Sequence, residues 1–343
     1  MKKIEQFNKR RDRKAEHINF YMESEHENNA LFEDIYLEHN ALPELNFDEI
    51  NTKSTFLDKD VDFPIMINAI TGGTDFSWEI NRQLSHIALE FNIPIAVGSQ
   101  TIALYNKESR ESYEVVREIV KEGIVIANLS SMATIEEVKI AIDMLEADAI
   151  QLHLNVAQEL IMTEGDRNFK GVLNNIEYII KNVDIPVIVK EVGFGISKDV
   201  AKRLYDIGVS YIDISGTGGT NFIEIEGRRR KDRDFTDLYS WGIPTALSLI
   251  QCVNLNKNLN IIASGGIKNS QDIVKSLCIG AHIVGISGEI LRKLLDGGYD
   301  LAYKYVEELT YKLKILMLLL GKKNIEDLKT TRYKIIGELK ELV

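Results

Sequence analysis

Cysteine, proline and long apolar runs are scarce in this 343-residue chain, and each scarcity closes off a class of protein. The two cysteines, Cys252 and Cys278, stand far apart with no CxxC spacing. That excludes a disulfide framework, and their apolar helical surroundings suit reduced core residues of a cytosolic, cytoplasmic protein. The longest apolar run, Ile315 to Leu320, falls far short of the ~20 residues a membrane helix needs, and the polar start has no signal-peptide core. No membrane role follows. Positive charge is also in deficit, and a net charge of −11 argues against a general nucleic-acid binder. What is present is ordinary for a soluble globular protein: 45% hydrophobic and 27% charged residues, enough to fill a sizeable core.

From Phe63 the chain alternates short apolar runs with helical stretches, the mark of βαβ units. Eight such runs occur, at 63–73, 94–100, 123–130, 149–155, 186–193, 211–219, 260–266 and 282–288. Segments such as WEINRQLSHIALEF, TIEEVKIAIDMLEA and DVAKRLYDIG are the right length for one crossover helix apiece. Eight strands with crossovers predict a closed (β/α)₈ (TIM) barrel of class α/β, and the lack of a GxGxxG after the first strand agrees. The expected organisation is one domain over 1–343, with a barrel core at 63–295, a helical extension at 1–62 and C-terminal helices at 296–343. A long helix is expected at Leu301–Leu320, then Gly321, then an amphipathic tail helix packed on the barrel or a neighbouring subunit. EGRRRKDRDFTDLY, within 225–239, has no apolar period and is expected to be a mobile loop, a charged lid after strand six.

The stretch 261–288 reads as a phosphate cradle. Ile261–Ala263 leads into Ser264, Gly265 and Gly266, Ser270 is the expected N-cap of the following helix, and His282–Ile286 ends in Ser287 and Gly288 before another helix. Two adjacent strand-to-helix turns present backbone N–H groups and helix N-termini to one place. In a barrel the turns after strands seven and eight are the usual phosphate site.

The other strand ends carry Thr71 with Gly72, Ser99 and Gln100, Asn128, His153 and Asn155, Lys190, and Ser215, Thr217 and Thr220. This neutral hydrogen-bonding set, with no glycosidase-like carboxylate pair, suits a flavin mononucleotide whose phosphate lies on the glycine turns. Lys190 then sits beside the flavin; the other readings are a Schiff-base lysine or a structural partner of Glu191 or Asp213. His153 is either a satisfied core histidine or, by its alternation with Gln151 and Asn155, part of an inward polar row. Glu159 is a weak metal signal that gains sense if the substrate carries a diphosphate able to share Mg²⁺. Lys9, Arg10, Arg11, Arg13, Lys14 and His17 form either a solvated helix face or an anion site, Arg13 and His17 being one turn apart.

Together RKAEHI (13–18), AITGG (69–73), GSQ (98–100), ANLS (127–130), QLHLNVAQE (151–159), GDRNFKG (165–171), VKEVGFG (189–195), DISGTGGTNF (213–222), WGIPT (241–245) and ASGGI (263–267) resemble the type 2, FMN-dependent isopentenyl-diphosphate isomerases, in order and over nearly the whole chain. The resemblance implies interconversion of isopentenyl and dimethylallyl diphosphate without net redox change, on FMN first reduced by NADPH, with Mg²⁺, in a homotetramer or homo-octamer. It implies FMN contacts at Ala69, Ile70, Thr71, Gly72, Ser99, Asn128, Lys190, Ser215 and Thr220, with the phosphate at Gly266, Ile267, Lys268, Ser287 and Gly288. The diphosphate would meet Arg13, Lys14, His17, Ser99, Gln100, Asn155 and Gln158, with Glu159 on the metal. Gln158 and His153 would stand at the chemistry, with flavin N5 as acid and base.

Two positions depart from the pattern. Thr101 follows Gln100 where the family commonly has arginine, which removes a guanidinium worth about 1.5–3 kcal/mol of diphosphate binding unless Arg10 or Arg11 compensates. Lys268 stands where arginine is common, keeping the charge but losing the bidentate fork. Two other functions remain open: an FMN-dependent 2-hydroxy-acid oxidoreductase, which would need a histidine base and arginine near strand seven where the chain has VNLNKNLN, and a non-catalytic FMN-binding sensor.

Overall fold

A computed structural model describes residues 13–14, 16–24, 28–256 and 258–343. All eight apolar runs become strands: β1 (Ile65–Ile67), β2 (Ile95–Ala96), β3 (Val125–Ser130), β4 (Ala149–Leu154), β5 (Val187–Glu191), β6 (Tyr211–Asp213), β7 (Asn260–Ser264) and β8 (Ile283–Ile286). They pair in chain order and in parallel, and β8 returns to β1 with Val284 opposite Ile65 and Ile286 opposite Ile67, so the barrel closes. Helices such as Asp75–Glu90, Ile135–Leu145 and Lys198–Asp206 make the crossovers. Their starts are written locally: Thr74 and Ser197 cap two of them, and Thr134 with Glu137 forms a capping box on the third.

Period-two alternation divides the apolar side chains into two sets. Residues such as Ile67, Val125, Leu129, Val189 and Val284 pack outward against Leu84, Val116, Leu204, Leu249 and Val274 of the helices. Met66, Ile126, Ile188 and Ile262, one from each odd-numbered strand, pack together inside the barrel and are essentially inaccessible. Alternate strands filling one layer is how such a barrel avoids a pore. A hairpin, Ser54–Phe56 with Lys59–Val61, covers the amino-terminal end, where Phe56 meets the Tyr211 ring at 5.9 Å. Two residues further up the same odd strands the inward positions become Asn68, Asn128, Lys190 and Ser264, all buried. The lumen therefore changes from dry to polar just below the strand ends.

Five local expectations are corrected. Asn269, not Ser270, caps the helix Ser270–Ile279; its Oδ1 accepts from the N–H groups of Gln271 (2.8 Å) and Asp272 (3.1 Å). The supposed mobile loop begins inside a helix, Phe222–Arg229, and a further turn follows at Thr236–Leu238. Only its start is dry, with Glu226 1% exposed and paired with Arg229, whereas Lys231, Asp232, Arg233, Asp234 and Asp237 are exposed. The C-terminal helix starts at Gly288 and runs to Leu319, broken at Gly298 (φ 71°, ψ −165°). Beyond Gly321 there is no single tail helix. Instead a strand, Tyr333–Ile335, pairs antiparallel with Ile35–Leu37, flanked by the short helices Ile325–Leu328 and Gly337–Leu342. Within the extension at 1–62, expected to be helical, Phe32–Asp34 is likewise a 3₁₀ turn and Ile35–Leu37 that strand. The partner of each strand is some 300 residues away in the register Ile35 to Ile335, so no local pattern reveals it. Among the described residues no helix is long and apolar enough to cross a membrane.

Ile126→Ala would open a void in the sealed layer, and we expect about 2–4 kcal/mol loss of unfolding free energy by denaturant titration. A loss below ~1 kcal/mol would mean that the lumen is not packed as described.

Candidate functional site

The carboxyl ends of the strands open into a cavity of about 690 Å³. Most residues expected at the site line it: Ala69, Ile70 and Thr71 after β1, Ser99 after β2, Asn128 on β3, His153 and Asn155 at β4, Lys190 on β5, and Ser215 and Thr220 after β6. Gly266, Ile267, Lys268, Ser287 and Gly288 line the β7 and β8 side, and Arg13, Lys14, His17, Gln158 and Glu159 line the opposite rim. Two expected residues lie behind the wall. Gln100 is fully buried, its Nε2 donating to the Ala141 carbonyl (3.0 Å) and its Oε1 accepting from Asn128 N–H (2.9 Å). Gly72 backs onto Tyr113, whose ring would lie 2.1 Å from any added Cβ. Lys9, Arg10 and Arg11 lie outside the described residues.

One end of the cavity is lined by glycine turns and a helix N-terminus, the kind of backbone that can receive a phosphate. Gly265 and Gly266 have φ of 99° and 71°, and a Cβ on Gly266 would meet the Gly218 backbone at 2.5 Å. Only glycine lets the β7 turn pass there. Ser287 makes no side-chain cap to the helix starting at Gly288, so its N-terminal N–H groups open toward the cavity. The Lys268 N–H is already taken by Asp272 (3.0 Å), which leaves Gly266, Ile267 and Gly288 as the backbone donors. Across the floor, Lys190 Nζ donates to the Glu191 carbonyl (2.9 Å) and pairs with Asp213 (3.2 Å). Committed to both, it acts as a cation rather than a nucleophile, which disfavours a Schiff base. Ser215 is held at φ 35°, a left-handed conformation rare outside glycine. These donors fit FMN: a phosphate cradle, a cation and neutral amides beneath a ring.

The other end carries the cations Arg13 and Lys14, helical like the segment 16–22 that follows them. Lys14 Nζ donates to the Ser99 carbonyl (2.8 Å) and the Tyr113 hydroxyl (2.7 Å). Arg13 is mostly buried beside Glu164, and its Nε has no hydrogen-bond partner, a donor left for an anion. Burial lowers its pKa from the usual guanidinium value. Glu159 accepts from Asn155 Nδ2 (2.9 Å) and Asp166 N–H (2.8 Å), and no group of three potential metal ligands surrounds it among the described residues. A cation there would therefore share phosphate and water oxygens.

Glu226 is the group that the sequence reading missed. Its Oε1 accepts from His17 Nε2 (2.8 Å) and Gln158 Nε2 (3.1 Å), while Oε2 pairs with Arg229. The carboxylate thus fixes both a rim histidine and Gln158. Although burial opposes ionisation, His17 and Arg229 hold its pKa down at about 2. Burial lowers the pKa of His17 against the hydrogen bond and charge of Glu226, which raise it. A signal was present: Glu224 with Arg228 and Glu226 with Arg229, at i,i+4 and i,i+3, is helical spacing inside what looked like a charged loop.

Comparison with known proteins adds three observations. The FMN-dependent dehydrogenase family profile matches residues 107–335. Isopentenyl-diphosphate delta-isomerase of Bacillus pumilus is 45% identical over 331 residues, 96% of this chain and 93% of that one; its counterpart in Listeria innocua is 44% identical with the same coverage. Among solved structures, a mandelate oxidase (TM-score 0.66, 15% identity, 90% of each chain) and a lactate oxidase of Pediococcus acidilactici (TM-score 0.67, 20% identity, 89% and 84% covered) share the barrel.

His153 supplies a pH prediction. Burial first, then Lys190, Arg13 and Lys14, lower its pKa from 6.5 to about 4. The unfolded chain therefore binds a proton that the folded one refuses between those values, and stability should fall as pH drops from 6.5 to 4, by between ~1 and ~3 kcal/mol. Glu226 adds to the loss below pH 4.5, as its proton is taken up by the unfolded chain first. Thermal melts of the wild type and His153→Gln over pH 4–7 check this; equal slopes would remove His153 as the source.

Proposed function

Because the chain belongs to the FMN-dependent isopentenyl-diphosphate delta-isomerases, we propose that its barrel mouth holds flavin and substrate together and divides the shift of the alkene among the residues around it. The overall reaction interconverts isopentenyl and dimethylallyl diphosphate: one carbon gains a proton, another loses one, and no electrons are exchanged. Bound in its reduced form, FMN would supply proton exchange at N5 and an electron-rich face against the tertiary, cation-like state. The protein's part is binding, orientation and exclusion of water.

The observation that carries this reading is that one cavity has two anion-seeking ends with neutral amides between them. The glycine turns and the uncapped Gly288 helix suit the cofactor phosphate; Arg13, Lys14 and the turn at Ser99 suit the diphosphate. The uncharged ends of both ligands then meet over Lys190 and Asn128. Ala69, Ile70, Thr71, Ser215 and Thr220 would border the ring. Gln158, steadied by Glu226 and near Asn155, is the side chain best placed to share the second proton transfer with the flavin. Glu159 would hold Mg²⁺ together with diphosphate oxygens, and NADPH would reduce the flavin. Two buried thiols left free, Cys252 and Cys278, suit a reducing cytoplasm. A homotetramer or homo-octamer is the proposed assembly. Oxidation of a 2-hydroxy acid has only the fold in its favour, since the oxidases that share the barrel are at most 20% identical.

An anaerobic assay with isopentenyl diphosphate, Mg²⁺ and FMN, read by proton NMR of the alkene, should give product only when the flavin is reduced beforehand. No product with FMN demonstrably bound would overturn the proposal. Lys190→Ala should weaken FMN retention roughly tenfold, about 1.4 kcal/mol. In a metal titration Glu159→Gln should need about tenfold more Mg²⁺; an unchanged titration removes it as a ligand. Thr101 touches Ser99 through its hydroxyl (2.9 Å), so Thr101→Arg should tighten diphosphate binding by about tenfold. Weaker binding would mean that the pocket is built around the threonine.

A further inference from the structure

Below the cavity runs a chain of buried amides. Asp213, fully buried, accepts from Ser264 Oγ and pairs with Lys190, so its oxygens are acceptors. Asn68 Nδ2 donates to Asp213 Oδ2 (2.6 Å). Asn68 Oδ1 then receives Gln151 Nε2 (2.9 Å), and it also receives the Ala69 backbone N–H (2.9 Å). Gln151 Oε1 accepts from Asn128 Nδ2 (2.9 Å), which turns Asn128 Oδ1 toward His153 Nδ1 at 3.0 Å. An amide oxygen can only accept, so Nδ1 must carry the proton.

We propose that Asp213, Asn68, Gln151 and Asn128 form a directional hydrogen-bond relay that locks His153 as the Nδ1–H tautomer and so presents Nε2 to the cavity as a proton acceptor. The direction is over-determined. Flipping Asn68 would set its NH₂ against the Ala69 N–H and its oxygen against a carboxylate. Flipping Gln151 alone would leave donor facing donor at Asn128 and acceptor facing acceptor at Asn68; flipping Asn128 alone, which His153 could follow by changing tautomer, would still leave acceptor facing acceptor at Gln151, and each buried mismatch carries a cost of about 1–3 kcal/mol. The four relay members act through His153 and are positioning residues.

The consequence concerns what His153 touches. A lone pair at Nε2 repels phosphate oxygens, so His153 does not belong with Arg13 and Lys14 as a diphosphate donor. Its partner is an N–H or O–H: a flavin ring N–H or a water at the reacting end. The identity of that donor rests on the isomerase reading; the tautomer does not.

The test is long-range ¹H–¹⁵N NMR of histidine-labelled protein, with and without FMN, with the His153 signals identified by their loss in His153→Gln. The expected wild-type pattern is a protonated Nδ1 and a lone-pair Nε2. Gln151→Met cuts the relay and frees Asn128 to turn, which should move the tautomer ratio at least fivefold toward Nε2–H. Gln151→Glu, whose buried carboxyl in its protonated form can donate to Asn68 and accept from Asn128, should restore it. A protonated Nε2 in the wild type, or an unchanged ratio in a folded Gln151→Met, overturns the relay. If Gln151→Met does not fold, the wild-type spectrum alone decides. An inactive wild type that still shows Nδ1–H would sink the isomerase assignment and leave the relay standing.

Discussion

Closure of β8 onto β1 is the interaction on which the rest depends. It places Ile286 beside Ile67, and so brings the turn at Ser287 and Gly288 next to the turn at Ala69, although more than 200 residues separate them. Without that register the glycine turns after β7 and β8 and the turn after β1 would not open into one cavity. Closure also satisfies the backbone of both edge strands, which in an open sheet would demand another partner. The layer of Met66, Ile126, Ile188 and Ile262 makes closure favourable, because a barrel of eight strands is just wide enough for side chains to fill.

The same alternation that seals the barrel also aims the chemistry. Along each odd strand and its continuation, a single residue separates a sealed apolar side chain from a polar one of the site floor: Met66 from Asn68, Ile126 from Asn128, Ile188 from Lys190, Ile262 from Ser264. A buried polar layer is costly unless every group finds a partner. Here the partners are one another, converging on the carboxylate of Asp213. Satisfaction of the floor and orientation of His153 are thus one requirement. The rim obeys similar logic with charge: Glu226 sits in a dry position only because His17, Gln158 and Arg229 surround it, and those contacts dock the N-terminal segment over the cavity.

Much of this was open to reading in one dimension. Short apolar runs ending in small or polar residues located all eight barrel strands, and within a barrel the residue at a strand's end faces the mouth, so Thr71, Ser99, Asn128, Lys190 and Ser215 could be named beforehand. Gly266 and Gly288 were equally visible, because a backbone that must bend close to a ligand tolerates no Cβ. Gln100 shows the limit. It follows Ser99 directly, yet the turn sends its side chain into the wall between Asn128 and Ala141. Strand position gives the face of a residue; once the strand has ended, only the traced turn gives its direction.

Sequence alone determined the number of barrel strands, the glycine turns and the chemical kind of each barrel strand end, because those follow from local periodicity and local backbone freedom. Tertiary structure alone decided the pairing of Ile35–Leu37 with Tyr333–Ile335, the burial of Glu226 within a run of charges, and the path from Asp213 to His153. Each of these depends on contacts between residues remote in the chain, where the free energy of a charge or an amide is set by its surroundings in space and leaves no mark on its neighbours in sequence.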